Sequence, residues 1–260
     1  MTKKLPSITH KLPVLLAVSA LILLWQLACA SGLAPAYMLP SPVDVLRAFW
    51  SERTLLWDNA LVTLQEAFVG LGLGVLLGFA FATVMDAVPA LRRAIYPILV
   101  LTQTVPTVAI APLLVLWFGY GLLPKIILIV ITTFFPVTVG LLDGFASADP
   151  DAVNLLRSMG AGRWQIFRYI KFPGALTAFF SGLRIAAAYC VVGAVISEWL
   201  GGFGGLGVYM TRVKKAFAFD KMFAVIFLIS GVSLALMALV DLTRRLCMPW
   251  LRAQKSHPNS

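Results

Sequence analysis

Long apolar runs separated by short polar stretches dominate the chain. A membrane helix needs about 20 apolar residues, and six runs approach or exceed that length. We expect the spans at Leu12–Ala30, Asn59–Ala87, Ile95–Phe118, Lys125–Phe145, Ala175–Leu200 and Met222–Leu242. The pattern therefore predicts an all-α membrane protein with six transmembrane helices, and a short outer helix over Val43–Trp50.

A patterned polar segment, Asp149–Pro173, separates the fourth and fifth predicted spans. The apolar residues of its first half have the spacing of one helix face, at Ala152, Leu155, Leu156 and Met159. Asp149 is suited to cap this helix, Pro150 to its first position and Gly160 to its end. A flexible linker needs no such pattern. We therefore expect a short amphipathic helix over 151–160 that contacts another protein.

Glycines and prolines shape two of the predicted spans. Gly70 and Gly74 have the GxxxG spacing that lets a neighbouring helix approach closely, and packing within the same chain is the simpler interpretation. Pro106 and Pro112 interrupt the third span. A proline leaves a carbonyl that neighbours or a wet cavity must satisfy, so residues 102–107 predict either a break lining something polar or a kink for packing.

The distribution of lysine and arginine predicts the orientation. With the N-terminus inside, six spans place thirteen basic residues on the inner face and seven on the outer face, with Arg184 inside a span. This excess predicts cytoplasmic termini and a cytoplasmic segment 149–173. Leu12–Ala30 lacks a small-residue cleavage site and contains Trp25 and Gln26, so we expect a retained span instead of a cleaved signal.

The predicted organisation has three parts. Residues 1–58 hold the N-terminal tail, the first transmembrane helix and an outer connection; residues 59–246 hold a five-helix core; residues 247–260 form a cytoplasmic tail. Composition leaves no room for a sizeable soluble domain, since 60% of the residues are hydrophobic and 12% are charged. The net charge of +10 is spread between spans, which indicates membrane lipids as the anionic partner and no nucleic acid.

No catalytic constellation is visible in the sequence. The two histidines, His10 and His257, lie in the tails, and the three cysteines have no metal or redox spacing. The glycine-rich stretch Gly201–Gly207 follows an apolar helix and lacks the strand and lysine of a phosphate-binding loop, so we predict a turn. We expect no enzyme activity, no ATP hydrolysis by this chain, no cofactor and no metal.

Three ionisable residues, Glu66, Arg184 and Glu198, lie inside predicted spans. A charge at the bilayer centre costs roughly 2.5 to 3.5 kcal/mol even on the lenient insertion scale, so each needs a reason. Arg184 can extend towards the inner face as an anchor. Glu66 and Glu198 either line a substrate path or sit in the interface. The candidate substrate path consists of Glu66, Gln103, Pro106 and Glu198.

The segment 149–173 resembles the cytoplasmic loop of binding-protein-dependent ABC importer permeases. That loop carries the EAA motif: Glu-Ala-Ala, three residues, Gly, nine residues, Ile, one residue, Leu-Pro. Gly160, Ile170 and Pro173 fall on this spacing, and Phe172 stands in place of the leucine. The residues at the Glu-Ala-Ala positions are Asn154, Leu155 and Leu156.

Further stretches extend the resemblance over residues 39–246. LPSPVDVL at 39–46, QTVPTVAIAPLLVLWFG at 103–119 and SGLRIA at 181–186 are similar to the nitrate, sulfonate and taurine branch of these permeases. FPVTVGLLDGF at 135–145 and the segment 154–173 look most like permeases for the pyrimidine precursor of thiamine.

The resemblance implies a type I ABC importer permease fold, with a cytoplasmic coupling helix between spans four and five. The implied ATPase-coupling residues are Asn154, Leu155, Leu156, Arg157, Met159, Gly160, Arg163, Ile170 and Pro173. The chain has one such loop, which implies a homodimer with two separate ATP-binding subunits and an extracytoplasmic substrate-binding protein. The implied activity is ATP-driven import of a small polar solute across the bacterial cytoplasmic membrane, either a thiamine-precursor pyrimidine or a sulfonate- or nitrate-type anion.

Two other function classes remain as alternatives. An ion-coupled secondary carrier would use Glu66, Arg184 and Glu198 as coupling residues. Such carriers commonly show an internal repeat and midplane charges, and neither is evident in this sequence. A membrane-embedded enzyme is disfavoured by the lack of a His, Cys or carboxylate cluster in the spans.

Overall fold

The computed structural model describes residues 12–32, 35 and 38–249, and every regular element among them is helical. The helices are α1 (Leu12–Ala30), α2 (Pro42–Ser51), α3 (Arg53–Ala87), α4 (Pro89–Thr102), α5 (Thr107–Phe118), α6 (Leu122–Ala146), α7 (Pro150–Ser158), α8 (Arg163–Ile166), α9 (Phe172–Gly201), α10 (Leu206–Lys215) and α11 (Phe219–Cys247). A π-helical turn, Phe167–Lys171, joins α8 to α9. The tails 1–11 and 250–260, with both histidines, lie outside the described residues.

Four helical stretches in the described chain are long and apolar enough to cross a membrane: α3, α6, Arg163–Gly201 and α11. The helices α4 and α5 form a pair bent by 97°, which makes a fifth span if the pair is counted as one. The apolar part of α1 described here, Leu15–Ala30, is shorter. The all-helical class is therefore confirmed, with four or five spans by length and composition against the six predicted.

The helix that contains the fifth span begins earlier than predicted. Instead of starting at Ala175, the helical path is continuous from Arg163 to Gly201. Pro173 lacks an amide hydrogen and would crowd the preceding turn of an ordinary α-helix. The π-helical turn accommodates it, since the Phe172 amide donates to the carbonyl of Phe167 five residues back. The second half of the polar segment is thus the base of a membrane helix.

The described residues form two compact units, which we consider separately. One unit contains the residues up to Asp58 together with Tyr209–Leu228. Its core comprises Val45, Ala48 and Ala224, flanked by Trp25 and Phe223. In this unit the predicted short helix is present as α2, and its N-cap Ser41 accepts a hydrogen bond from the amide of Asp44, which confirms an ordered connection.

The other unit contains Asn59–Val208 and the residues from Ile229 onward. On α3, three glycines one turn apart face three α6 side chains one turn apart. The pairs are Gly70 with Ile129, Gly74 with Thr133, and Gly78 with Val137. A Cβ on any of these glycines would overlap its partner, so the GxxxG spacing lets α3 lie directly on α6. The interpretation as packing within the chain is confirmed.

Helix α6 also packs closely on α9. A Cβ on Gly144 would come within 2.7 Å of Ala175, and one on Gly140 would come within 2.9 Å of the Ala178 carbonyl. Gly182 of α9 in turn meets the Pro136 carbonyl of α6. Helix α6 therefore packs at close range on both α3 and α9, with glycines at each contact.

The glycine contacts predict a difference between two neighbouring substitutions on α3. Gly74→Ala should lower the thermal unfolding midpoint of the detergent-solubilised protein, because its Cβ overlaps Thr133 and overpacking costs about 1–3 kcal/mol. Gly72→Ala has nothing within 4 Å of the new Cβ and should leave the midpoint unchanged or raise it, since alanine favours a helix. Equal midpoints for the two variants would contradict the close α3–α6 contact.

Candidate functional site

The helix predicted over 151–160 is present as α7, with the expected signals at both ends. At its start the Asp149 carboxylate accepts the Asp151 amide at 2.9 Å, and Pro150 occupies the first position. At its end the Ala161 amide donates to the Leu156 carbonyl at 2.9 Å, and the Gly160 amide donates to a carbonyl of the last turn. This Schellman arrangement needs a left-handed residue, and Gly160 supplies it with a φ of 85°.

The apolar stripe of α7 is open to the surroundings of the single chain. Leu155 is 60% exposed and Met159 is 77% exposed, while Ala152 and Leu156 are half-buried. A capped, well-formed helix whose largest apolar side chains point outward indicates a docking surface. The remaining coupling candidates divide by exposure: Asn154, Arg157, Gly160 and Arg163 are exposed, and Ile170 and Pro173 are half-buried.

An ion pair connects the base of the fifth span to α3. The Lys171 ammonium lies 2.7 and 2.8 Å from the two carboxylate oxygens of Asp86, which belongs to the last turn of α3. Both side chains are largely buried, so the pair holds the π-helical turn against the end of α3. Asp86 and Lys171 are 85 residues apart, so no local pattern in the sequence marks Asp86 as the partner of Lys171.

Phe172, which replaces the leucine of the EAA motif, takes part in an aromatic contact between the same two helices. Its ring meets Phe79 of α3 edge-on at 6.0 Å between centroids. Phe167 lies 6.1 Å from Phe172 and 5.3 Å from Phe145 of α6. The substitution therefore adds aromatic packing at the point where the segment joins the bundle.

A cavity of about 410 Å³ lies between the end of α3 and α8. Its lining includes Asp86, Arg157, Arg163, Trp164 and Lys171. The two arginines form no ion pair in the described part of the chain, so this cavity presents positive charge beside the exposed stripe of α7.

The interruption predicted at residues 102–107 is a sharp break between α4 and α5, and a second cavity lies against it. This cavity has a volume of about 160 Å³. Its lining consists of Thr102, Gln103, Val105, Thr107, Ile131, Thr132, Tyr189, Val192, Gly193 and Ile196. Pro106 occupies the N-cap position of α5, between two lining residues. The structure shows a sharp break in place of a mild kink, and polar side chains form part of the lining of the cavity beside it.

Glu66 and Glu198 lie in a separate, buried polar cluster. Lys125 donates to Glu66 at 2.5 Å, and the residues Lys125, Glu66 and Glu198 are each at least 95% buried. Glu198 accepts hydrogen bonds from the Thr63 hydroxyl at 2.7 Å and from the Gly207 amide at 2.6 Å. In the sequence Lys125 begins the fourth predicted span and counts among the seven basic residues of the outer face. Its burial follows from the cost of leaving two carboxylates in the bundle without a cation.

The glycine-rich turn is folded around the Glu198 carboxylate. Gly205 has a φ of 114°, and a Cβ there would overlap that carboxylate. The Gly205 amide donates to the Asn59 side chain at 2.9 Å, and the Leu206 amide donates to Thr63 at 2.9 Å. The prediction of a turn without a phosphate-binding role agrees with this use of the glycines.

The remaining ionisable residue within a span, Arg184, pairs with Asp241 of α11 at 3.7 Å. The Arg184 side chain is about half exposed, so the ion pair contributes little to stability. The half-exposed position of Arg184 is consistent with an anchor, and Arg184 does not line the cavity at the break.

The structure thus combines an exposed amphipathic helix, a sharply bent pair of apolar helices and a partly polar cavity in one helical bundle. Residues 70–252 match the family of binding-protein-dependent transport system inner membrane components, and the chain belongs to this family.

Several relatives match over most of their length. A protein of Haemophilus influenzae described as a probable ABC transporter permease is 37% identical, over 87% of this chain and 93% of its own. The formylaminopyrimidine transport permease protein of Halalkalibacterium halodurans is 35% identical, over 90% of this chain and 94% of its own. The taurine transport system permease protein of Escherichia coli is 31% identical, over 87% of this chain and 84% of its own.

A solved structure supports the same fold. The crystal structure of an amino acid ABC transporter with histidines matches this chain with a TM-score of 0.63 at 18% identity. The match covers 76% of this chain and 96% of that chain. Together these matches confirm the suspected branch of ABC importer permeases. The chain is a multi-pass inner-membrane transport subunit without catalytic function, and ATP is hydrolysed by a separate subunit.

The buried cluster predicts a large stability effect at Lys125. Lys125→Met should destabilise the protein by about 3–5 kcal/mol, because it leaves the buried Glu66 carboxylate without its cation. The double variant Lys125→Met/Glu66→Gln should recover most of the loss in thermal unfolding. As a control, Lys221→Met removes the more exposed pair with Glu52 and should cost about 0–1 kcal/mol. Equal losses for the two single variants would show that the Lys125 pair is not a buried one.

Proposed function

We propose that the chain works as one half of a homodimeric permease with six spans per chain, with both termini in the cytoplasm. Each copy presents one α7, so two copies provide two docking sites for two ATP-binding subunits. The family supports ATP-driven import with a substrate-binding protein as the donor of solute. The basic residues of the connections support the orientation.

The observation that carries the coupling proposal is the exposed apolar stripe on a helix capped at both ends. Leu155 and Met159 insert into a groove of the ATP-binding subunit, and Leu156 supports them from the half-buried side. Arg157 and Arg163 lie at the rim, where unpaired guanidinium groups bind acidic side chains. Asn154 stands where the motif has glutamate, so the contact from that position is a neutral hydrogen bond.

Movement of α7 reaches the membrane bundle through two connections. Gly160 fixes the exit angle of the chain from α7, and the helical path from Arg163 through Ile170 and Pro173 continues directly into α9. The second connection is the Asp86–Lys171 ion pair, which joins the same base to α3. Closure of the ATP-binding subunits thereby moves α3 and α9 together and exchanges an outward-facing cavity for an inward-facing one.

The solute path passes the break between α4 and α5, where Gln103 and Pro106 open a hydrogen-bonding cavity within the spans. Glu66 and Glu198 support the frame of this path, since Lys125 binds one oxygen of Glu66, and Thr63 and Gly207 bind the two oxygens of Glu198. The relatives that import formylaminopyrimidine and taurine support a small polar solute, either a thiamine-precursor pyrimidine or a sulfonate-type anion.

A charge on the α7 stripe tests the docking proposal. Leu155→Asp should abolish co-purification of the ATP-binding subunit and ATP-dependent uptake, because it places a carboxylate in the apolar groove. Gly174→Asp adds the same charge nearby, at an exposed position with nothing within 4 Å of its Cβ, and should preserve both readouts. Retained association and uptake in Leu155→Asp would refute docking through α7.

A charge swap tests transmission through the second connection. Asp86→Lys and Lys171→Asp should each lower uptake at least fivefold while the ATP-binding subunit still co-purifies, because each brings like charges together below α7. The double variant should recover much of the uptake. Arg168→Gln, on the same turn and exposed, serves as the control. Uptake at the normal rate in both single variants would show that the Asp86–Lys171 ion pair does not transmit movement from α7 to the bundle.

A further inference from the structure

Uncharged polar side chains line the cavity at the break between α4 and α5. Resting on the proposed function, we propose that this cavity holds a small, uncharged ring compound with both hydrogen-bond donors and acceptors, such as an aminopyrimidine, and that it excludes anions. Four positions determine this choice: Gln103, Thr107, Thr132 and Tyr189.

One face of α9 forms a wall of the cavity, with Tyr189 as its one polar side chain. Tyr189, Val192, Gly193 and Ile196 of α9 have the spacing of one helix face. A Cβ at Gly193 would lie 3.2 Å from the hydroxyl oxygen of Thr132, so glycine keeps that hydroxyl accessible. The half-exposed ring of Tyr189 provides a stacking surface beside it.

The polar side chains supply both acceptors and donors. The Thr102 and Thr132 hydroxyls donate to the carbonyls of Leu99 and Ile129 at 2.6 and 2.8 Å, which leaves their oxygens as acceptors. The Gln103 amide and the hydroxyls of Thr107 and Tyr189 have no partner in the described part of the chain. A ring with exocyclic amino groups and ring nitrogens matches this mixed set.

Charge decides against an anion. The lining includes no charged side chain, and the nearest cation along α6, Lys125, is seven residues or about 10 Å before Thr132 and already pairs with Glu66. The N-terminus of α5 favours an anion by about fivefold, and by up to about thirtyfold in a partly buried geometry. Removing an anion from water without a counter-ion costs on the order of a thousandfold or more in affinity. The second effect is larger, so the cavity selects uncharged solutes.

Size restricts the solute further. The volume of about 160 Å³ equals that of roughly five water molecules in the liquid. Drug-sized ligands occupy pockets of about 300–1,000 Å³. The cavity therefore accepts a single substituted ring.

The experiment measures binding to the purified permease with its ATP-binding subunits, in nanodiscs and without the substrate-binding protein. Equilibrium dialysis with radiolabelled formylaminopyrimidine and radiolabelled ethanesulfonate compares the two charge classes directly. We expect formylaminopyrimidine to bind at least tenfold more tightly than ethanesulfonate. Thr132→Val and Tyr189→Phe should each weaken it about fivefold, since each removes a neutral hydrogen bond.

A matched control separates the cavity from the break as a whole. Thr104→Val removes a hydroxyl on the same segment that donates to the Leu101 carbonyl and does not line the cavity, so binding should be unchanged. Gln103→Lys should reverse the preference towards ethanesulfonate, because it supplies the missing cation.

Three results would overturn the proposal: ethanesulfonate binding as tightly as formylaminopyrimidine, no binding of either compound, or equal effects of Thr132→Val and Thr104→Val. These outcomes are distinct from a failure of the proposed function. Loss of the selective site leaves the α7-dependent association with the ATP-binding subunit intact, whereas an unaffected Leu155→Asp variant removes the permease mechanism itself.

Discussion

The backbone contact of α6 with its two neighbours is the constraint on which the rest of this bundle depends. Glycines of α3 lie against a row of α6 side chains, and glycines of α6 and α9 bring those two helices into close contact. Glycines at these positions let the helix axes approach closely, so the three helices form one tightly packed group. The same close contact sets the positions of Thr132 at the cavity and Asp86 at the base of the fifth span.

Charges occupy the two ends of this tightly packed group and are compensated there. Lys125 neutralises Glu66 beside Glu198 at one end, and Lys171 neutralises Asp86 at the other. The cavity between them along α6 and α9 is polar without being charged. A permease must let solute leave again, and neutral hydrogen bonds bind more weakly than ion pairs in a dry environment. This division suits a passage more than a storage site.

Local signals in the sequence predicted the caps of α7, the α3 glycine contact and the break near Pro106, because each depends on neighbours a few residues apart. The partners of the buried charges could not be placed the same way. Two carboxylates in spans required a cation, but only tertiary packing selects Lys125. Tyr189 and Thr132 carry no local signal of a place in the cavity lining, because apolar residues surround each of them in the sequence. Their helices meet only in the folded bundle. The basic residues between Arg163 and Lys171 give the helical path before Ala175 the composition of a polar connection.

The most direct test of the mechanism follows access to the break during the ATP cycle. Val105 is exposed and lines the cavity, so Val105→Cys in a variant without the native cysteines reports on access through its reaction with a water-soluble maleimide. In the reconstituted complex, we expect the reaction rate to change at least tenfold between the nucleotide-free state and the state trapped with ATP and vanadate. The same rate in both states would contradict coupling between α7 and the cavity.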